Sequence, residues 1–378
     1  MRKQIFPPLP GLVLPLAACL SAHAEQAPVF YTGADLSYVN EMEDCGASFR
    51  TNGAKADPFR IFADAGANLV RVRLWHNPDW TDYSGFDDAA KTLRRAKRAG
   101  LPVLLDFHYS DTWADPDKQY VPAAWKHLLG DTPALGDALY DYTFRTLEAL
   151  QRRDLVPEMV QVGNETNSEI LQARESMQSE SIDWARNSAL LDRGLQAVAD
   201  FNRKYDRHVQ RMLHIAQPEN ALNWFPEADR HLQQDYELIG LSYYGKWSEY
   251  GVDSLGDAIA QLRQRFDKEV MVVETAYPWT LQNFDSAGNL LGEDSLLPGY
   301  PATPEGQRRY LDDLADTVKN AGGAGVVYWE PAWVSTECKT RWGTGSHWEN
   351  AGMFDPANGN DTLPAMEFFS RDKTGRTP

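Results

Sequence analysis

Blocks of positive charge are the first thing missing from this 378-residue chain. Its 37 Lys and Arg are outnumbered by 54 Asp and Glu, giving a formal net charge of −17 at pH 7, and beyond one basic amphipathic helix at 87–99 the cations form no blocks. Clustered cations are what hold a phosphate backbone, so a nucleic-acid partner is not expected. The acidity serves solubility and weighs mildly against a strongly anionic substrate. Metal-site spacing is missing as well: there is no His-x-Glu-x-x-His and no close pair of histidines, so no catalytic metal is assigned. A Gly-x-Ser-x-Gly elbow is absent. No Gly-rich loop follows a strand, which removes support for a nucleotide-binding fold. No whole-domain repeat, linker or low-complexity stretch interrupts the chain.

Cysteine is scarce, with 3 in all. One of them, Cys19, lies in an N-terminal segment with the features of an export signal, residues 1–24. Arg2 and Lys3 supply a positive start, Ile5 to Leu20 are mostly apolar, and Ala22-His23-Ala24 offers a small-residue cleavage site. Its prolines and its length argue against a membrane-spanning helix. Leu16-Ala17-Ala18-Cys19 also fits a lipoprotein signal, in which Cys19 would become a lipid anchor. The protein is therefore expected to be secreted or periplasmic, with lipid anchoring through Cys19 as the alternative. Cys45 and Cys338 remain, and in an oxidising compartment they are a candidate disulfide.

What the chain does have is a core and many aromatic rings. Hydrophobic residues make up 43%, with 12 Trp and 16 Tyr. Trp is costly to expose, so these rings belong either to the core or to a surface that takes flat apolar faces such as those of sugars. From Phe30 onward, short apolar strands alternate with helices. Strands are expected at 30–36, 68–74, 101–107, 158–162, 211–216, 238–243, 270–273 and 324–329, with helices opened by signals such as Asp57-Pro58 and closed by Gly100 or Gly322-Gly323. Eight such strands point to a single (β/α)₈ TIM barrel of α/β class over residues 25–378. Closing the barrel makes the first and last strands neighbours, so a Cys45–Cys338 bridge across the seam is geometrically reasonable.

In such barrels the reactive groups sit at the C-terminal strand ends. Val160 to Val162 leads into Gly163-Asn164-Glu165, and Val270 to Val273 leads into Glu274. Two carboxylates delivered this way suit glycoside hydrolysis: one protonates the leaving oxygen, the other attacks the anomeric carbon or activates water. Alternation puts Arg71, Arg73 and Trp75 on one strand face, and Asp106 and His108 on another. A cation beside a carboxylate favours its ionised form, as a nucleophile requires. Asn164 can bond a sugar hydroxyl, a phenol of Ser242-Tyr243-Tyr244 can orient the nucleophile, and Trp329 can underlie a sugar ring. Core packing competes as the role of Trp333 and Trp342.

These residues also resemble a known family. Gly33-Ala34-Asp35-Leu36-Ser37, Val70-Arg71-Val72-Arg73-Leu74-Trp75, Asp106 to Pro116, Gln161 to Glu165, Ser242-Tyr243-Tyr244 and Val273 to Tyr277 together resemble the endo-β-1,4-galactanases of glycoside hydrolase family 53. The resemblance implies a clan-A glycosidase that retains anomeric configuration and needs no cofactor. Glu165 would be the general acid/base and Glu274 the nucleophile, with carboxyl groups ~5 Å apart. The implied partner is β-1,4-galactan in type I arabinogalactan side chains of pectin, cut at internal bonds; separately, the protein is expected to act as a monomer. Expected substrate contacts are Asp35, Arg73, Trp75, His108, Asp111, Trp113, Asn164, Tyr243, Tyr244 and Trp329. Family members commonly carry a Gly- and Trp-containing segment after Asn-Glu, where this chain has Thr166 to Leu171; contacts from that loop should differ. Some bacterial members bind Ca²⁺ after strands seven and eight; here Asp285, Asn289, Glu293 and Asp294 offer oxygens, or merely form a solvated acidic loop. Mannanase or xylanase activity on the same frame is the alternative. A non-catalytic carbohydrate-binding barrel is a third reading, which the presence of both glutamates disfavours.

Overall fold

The computed structural model describes residues 1, 2, 4, 29–174 and 181–373. The expected leader, with Lys3, Ile5 to Leu20, Cys19 and Ala22 to Ala24, lies outside the described residues. Eight parallel strands form a closed barrel. They are β1 (Tyr31–Asp35), β2 (Leu69–Leu74), β3 (Val103–Phe107), β4 (Met159–Val162), β5 (Gln210–Ala216), β6 (Leu238–Ser242), β7 (Glu269–Glu274) and β8 (Gly325–Tyr328). The ring shuts because β1 pairs with both β2 and β8, Ala34 lying opposite Val70 on one side and Tyr328 on the other.

Local chemistry explains where the elements begin and end. Asp57 caps the helix Pro58–Ala65 by accepting from the Phe59 N–H at 2.9 Å, satisfying a donor that has no partner within the helix. Gly66 ends it at φ 116°. A Cβ there would lie 2.4 Å from the Phe369 carbonyl, so only glycine fits. Phe369 belongs to the 3₁₀ turns Pro364–Lys373, which pack on this helix and on Pro304–Asn320. They close the outer layer where the barrel's last helix would stand. The helix Pro218–His231, between β5 and β6, was not expected from the sequence because Pro226 interrupts its pattern. Also unforeseen are a small outer sheet formed by 49–51, 54–56, 354–355 and 361–362, and a hairpin of Lys339–Thr340 with Gly343–Thr344.

Inside the barrel, side chains form layers. Leu69, Leu104, Met159, Met212, Leu238, Met271 and Val327 fill the lower interior, apart from the larger core between strands and helices. Alternation carries the same inward face upward to Arg71, Asp106, Gln161, His214 and Ser242. A polar layer thus rests on an apolar plug, at the end where the strands deliver their loops. Cys45, after β1, and Cys338, after β8, form a disulfide with Cα atoms 5.5 Å apart. The seam bridge expected from sequence is present. Among the described residues no helix is long and apolar enough to cross a membrane.

Candidate active site

Arg71 is the hub of the polar layer. It is 1% exposed and its guanidinium reaches Asp35 at 2.8 Å, Asp106 at 2.9 Å and Glu274 at 2.9 Å. It also donates to the Asn164 side-chain oxygen at 2.8 Å and to Gln161 at 3.2 Å. A buried guanidinium is tolerable only when its fork of donors is matched by carboxylates and hydrogen bonds, as here. Burial works against its charge, but Asp106, Glu274 and Asp35 hold its pKa above the ordinary value. Asp106 is in turn held below the usual carboxylate range: burial pushes it up, and Arg71 and His108 overcome that.

The two glutamates reach the mouth of the barrel by different backbone devices. Beyond β4 the chain passes through Gly163 at φ 90° and turns Glu165 itself into the left-handed region at φ 44°, a conformation that costs a non-glycine residue and is kept where the fold enforces it. On β7 the register slips: Leu241 faces Val272, but Ser242 faces Glu274. This β-bulge breaks the alternation at Glu274: Val273 keeps the inward face of Met271 in the barrel's plug, and Glu274 next to it also points inward. One oxygen from each glutamate and a ring nitrogen of His214 lie within 4.8 Å of one another.

Their partners set their protonation. Glu165 accepts from the Ser242 hydroxyl at 2.5 Å and has no cation bonded to it. Burial and the nearby charge of Glu274 raise its pKa well above the ordinary value, with Ser242 opposing. Burial raises Glu274 too, but Arg71 pulls it back and the Tyr244 hydroxyl donates to it at 3.1 Å. Of the coupled pair, the shared proton therefore belongs on Glu165. His214 joins Ser242 at 2.9 Å through Nε2 and Gln161 at 2.8 Å through Nδ1. Burial, reinforced by Arg71, holds it neutral, well below its ordinary pKa.

Both glutamates open onto a cleft of about 1040 Å³ whose walls include Trp113, Asn164, Tyr244, Trp247, Trp329, Trp333, Trp342 and Trp348. Of the contacts expected from sequence, Trp113, Asn164, Tyr244 and Trp329 line it. The others do not line it and are engaged within the protein. Asp35 is spent on Arg71 and Ser37. Arg73 pairs with buried Glu330 at 3.0 Å, and the rings of Tyr38, Trp75 and Trp113 stand 4.1–4.8 Å from its guanidinium. Trp75 is 2% exposed. His108 bonds Asp106 through Nε2 and takes the Ala114 N–H at Nδ1. Asp111 binds His76 and the Ala123 N–H away from the cleft. The Tyr243 hydroxyl turns outward to the Tyr250 carbonyl.

Gln161 and Ser242 stand in the sequence motifs without a role of their own, and His214 stands in none. Strand alternation placed them on the inward face, but nothing in the sequence said they would converge on Glu165. The oxygen-bearing side chains of the loop after β7 are engaged within the protein. Asp285 accepts from the Ala287 and Ser346 N–H groups, Asp294 pairs with Lys246, and Asn289 bonds Glu349.

Comparison with known proteins fits this geometry. An arabinogalactan endo-beta-1,4-galactanase of Cellvibrio japonicus (strain Ueda107) is 56% identical over 372 residues, 98% of each chain. An endo-beta-1,4-galactanase of Bacillus subtilis (strain 168) is 32% identical, covering 92% of this chain and 87% of that one. Among solved structures, the Ignisphaera aggregans GH53 catalytic domain superposes with a TM-score of 0.81 at 30% identity, covering 91% of this chain and 97% of that one. Residues 31–369 match glycosyl hydrolase family 53, and the chain belongs to that family.

Proposed function

We propose that this protein hydrolyses internal β-1,4-galactosidic bonds of galactan with retention of configuration. The observation that carries the reading is the pairing of a protonated Glu165 with a cation-bound Glu274, their oxygens within 4.8 Å across the floor of an aromatic cleft. A retaining enzyme needs its carboxyl groups about 5 Å apart, whereas an inverting one leaves room for water between them. Glu274, ionised beside Arg71 and fixed by Tyr244, attacks the anomeric carbon and forms the glycosyl-enzyme. Glu165 gives its proton to the leaving oxygen. It then takes one from the water that releases the sugar. Asn164 holds a hydroxyl of the reacting sugar, and Trp113 and Trp329 pack against sugar faces. Galactan as the polymer is supported by the relatives' activities; mannan or xylan would use the same frame.

Residues 1–24 act as the export signal and 25–378 as one catalytic domain, the protein being secreted or periplasmic, or lipid-anchored through Cys19. Both glutamates and the described cleft walls come from one chain, which fits action as a monomer. The two carboxyl groups carry this chemistry, with no cofactor required.

The test is turnover of linear β-1,4-galactan, mannan and xylan by the wild type and by Glu274→Ala and Glu165→Ala. Glu274→Ala should be inactive on every substrate. Glu165→Ala should lose polymer hydrolysis while keeping much of the first step on aryl glycosides, whose leaving groups need little protonation. Full activity in either variant would overturn the assignment, and activity on mannan or xylan alone would move the specificity.

A further inference from the structure

Of the 12 Trp in the chain, only Trp247 and Trp342 are exposed, at 50% and 44%. Both line the cleft that holds Glu165 and Glu274. Trp342 sits at the tip of the hairpin Lys339–Thr340/Gly343–Thr344, where packing the core gives it no reason to be large and apolar. Two features nevertheless hold it in place. Its ring meets Trp80 edge-on at 5.1 Å and 87°, and Trp80 is anchored by its indole N–H to the Asp111 carbonyl at 3.0 Å and covered by Arg341 at 4.8 Å. The base of the hairpin is fixed by the Cys45–Cys338 disulfide and by the Gly345 N–H to Cys338 carbonyl bond at 3.1 Å. A buttressed, partly exposed aromatic ring that lines a cleft is built to accept an apolar surface.

Strand order says where this ring lies. Trp80 follows β2 and Trp247 follows β6, four strands away in a ring of eight. Trp342, packed on Trp80, is thereby placed toward the β2 side of the barrel mouth and Trp247 toward the β6 side, and both line one cleft with Trp329 and the glutamates. We propose that Trp342 is the platform of a distal sugar subsite, stacking on a β-1,4-linked hexose of the same polymer whose scissile bond lies over Glu165 and Glu274. The inference rests on the glycosidase reading above. It adds that affinity should grow with chain length until a substrate reaches this ring, and that the disulfide-held hairpin sets that length.

The experiment is a kcat/KM ladder for wild type, Trp342→Ala and Trp342→Phe on β-1,4-galacto-oligosaccharides, from the shortest that is cut to the longest soluble one. Trp342→Ala should match wild type within about twofold on the shortest substrate and lose roughly tenfold on those long enough to reach the ring. Trp342→Phe should recover most of that loss. Because the side chain is exposed, activity on the shortest substrate also reports that the variant is folded. Equal losses at every length, or no loss on the longest substrate and on polymer, would overturn the subsite while leaving the glycosidase reading intact. Wild-type inactivity on the whole ladder would instead overturn the galactanase reading, and this subsite with it.

Discussion

The Ser242 hydroxyl lies 2.5 Å from Glu165 Oε1 and 2.9 Å from His214 Nε2. One small side chain therefore links the proposed acid/base to a buried neutral imidazole. When Ser242 donates to Glu165, its own oxygen is free to accept from His214, which fixes the proton of that ring on Nε2. Nδ1 is then the acceptor for Gln161 and for the Glu165 backbone N–H at 3.3 Å. The network bonds both the carboxyl of Glu165 and its strained backbone.

Ser242→Ala removes a bond that favours the ionised form of Glu165. The carboxyl pKa should rise further, moving the alkaline limb of kcat/KM to higher pH. A hydrogen bond to a charged group is worth about 1.5–3 kcal/mol, so kcat should fall roughly ten- to a hundredfold, with KM little changed. A pH profile identical to wild type would show that Ser242 does not act through this carboxyl.

Glu165 should also leave a mark on stability. Its folded pKa lies above the unfolded value, so the native state binds its proton more tightly. The resulting stabilisation is complete below the ordinary carboxylate pKa and is lost as pH rises through the raised one. Glu165→Gln, which cannot ionise, escapes that loss. Its Tm should equal wild type near pH 4 and exceed it by about 1–2 °C near pH 8. A constant difference across the range would exclude the linkage.

Much of this was legible beforehand, and the exceptions share a cause. Strand periodicity placed all eight strands, because each is a short apolar run between polar loops. The same periodicity put Arg71 and Arg73 on one face but could not rank them. Arg71 meets Glu274 and Arg73 meets Glu330, a difference of one strand rung settled only by the packing. Aromatic and charged residues near a strand end look alike in sequence whether they line a cleft or lie beneath it. Trp75 and His108 are examples: both stand at strand ends, and both are buried beside the cleft without lining it. The bulge that turns Glu274 inward is a pairing between strands, with no local signature on β7 itself.

Arg71→Lys tests the hub. A lysine keeps the charge but cannot match three carboxylates and two amide oxygens at once. With Asp35, Asp106 and Glu274 poorly compensated in a dry layer, unfolding free energy should drop by about 3–5 kcal/mol. Turnover should fall below detection, since Glu274 would lose its fixed cation. Near-normal activity would mean that the guanidinium geometry is not needed to keep Glu274 ionised.

The disulfide makes the last prediction, because it touches stability and substrate length at once. Cys45 and Cys338 are 293 residues apart in sequence, so the bridge restricts a very large loop in the unfolded chain. Disulfides typically contribute about 2–4 kcal/mol, and loops this long lie at the upper end of the entropic expectation. Cys45→Ser/Cys338→Ser should lower the denaturation midpoint by a corresponding amount, and reductant should bring wild type down to the double variant without affecting the variant itself. Releasing the base of the hairpin also frees Trp342, so the double variant should lose activity on long substrates and keep it on the shortest. Glu165, Glu274 and Arg71 hang on other strands and are untouched. A stability loss with an unchanged length dependence would assign the bridge to the barrel seam alone, with the Trp80 contact holding the ring by itself.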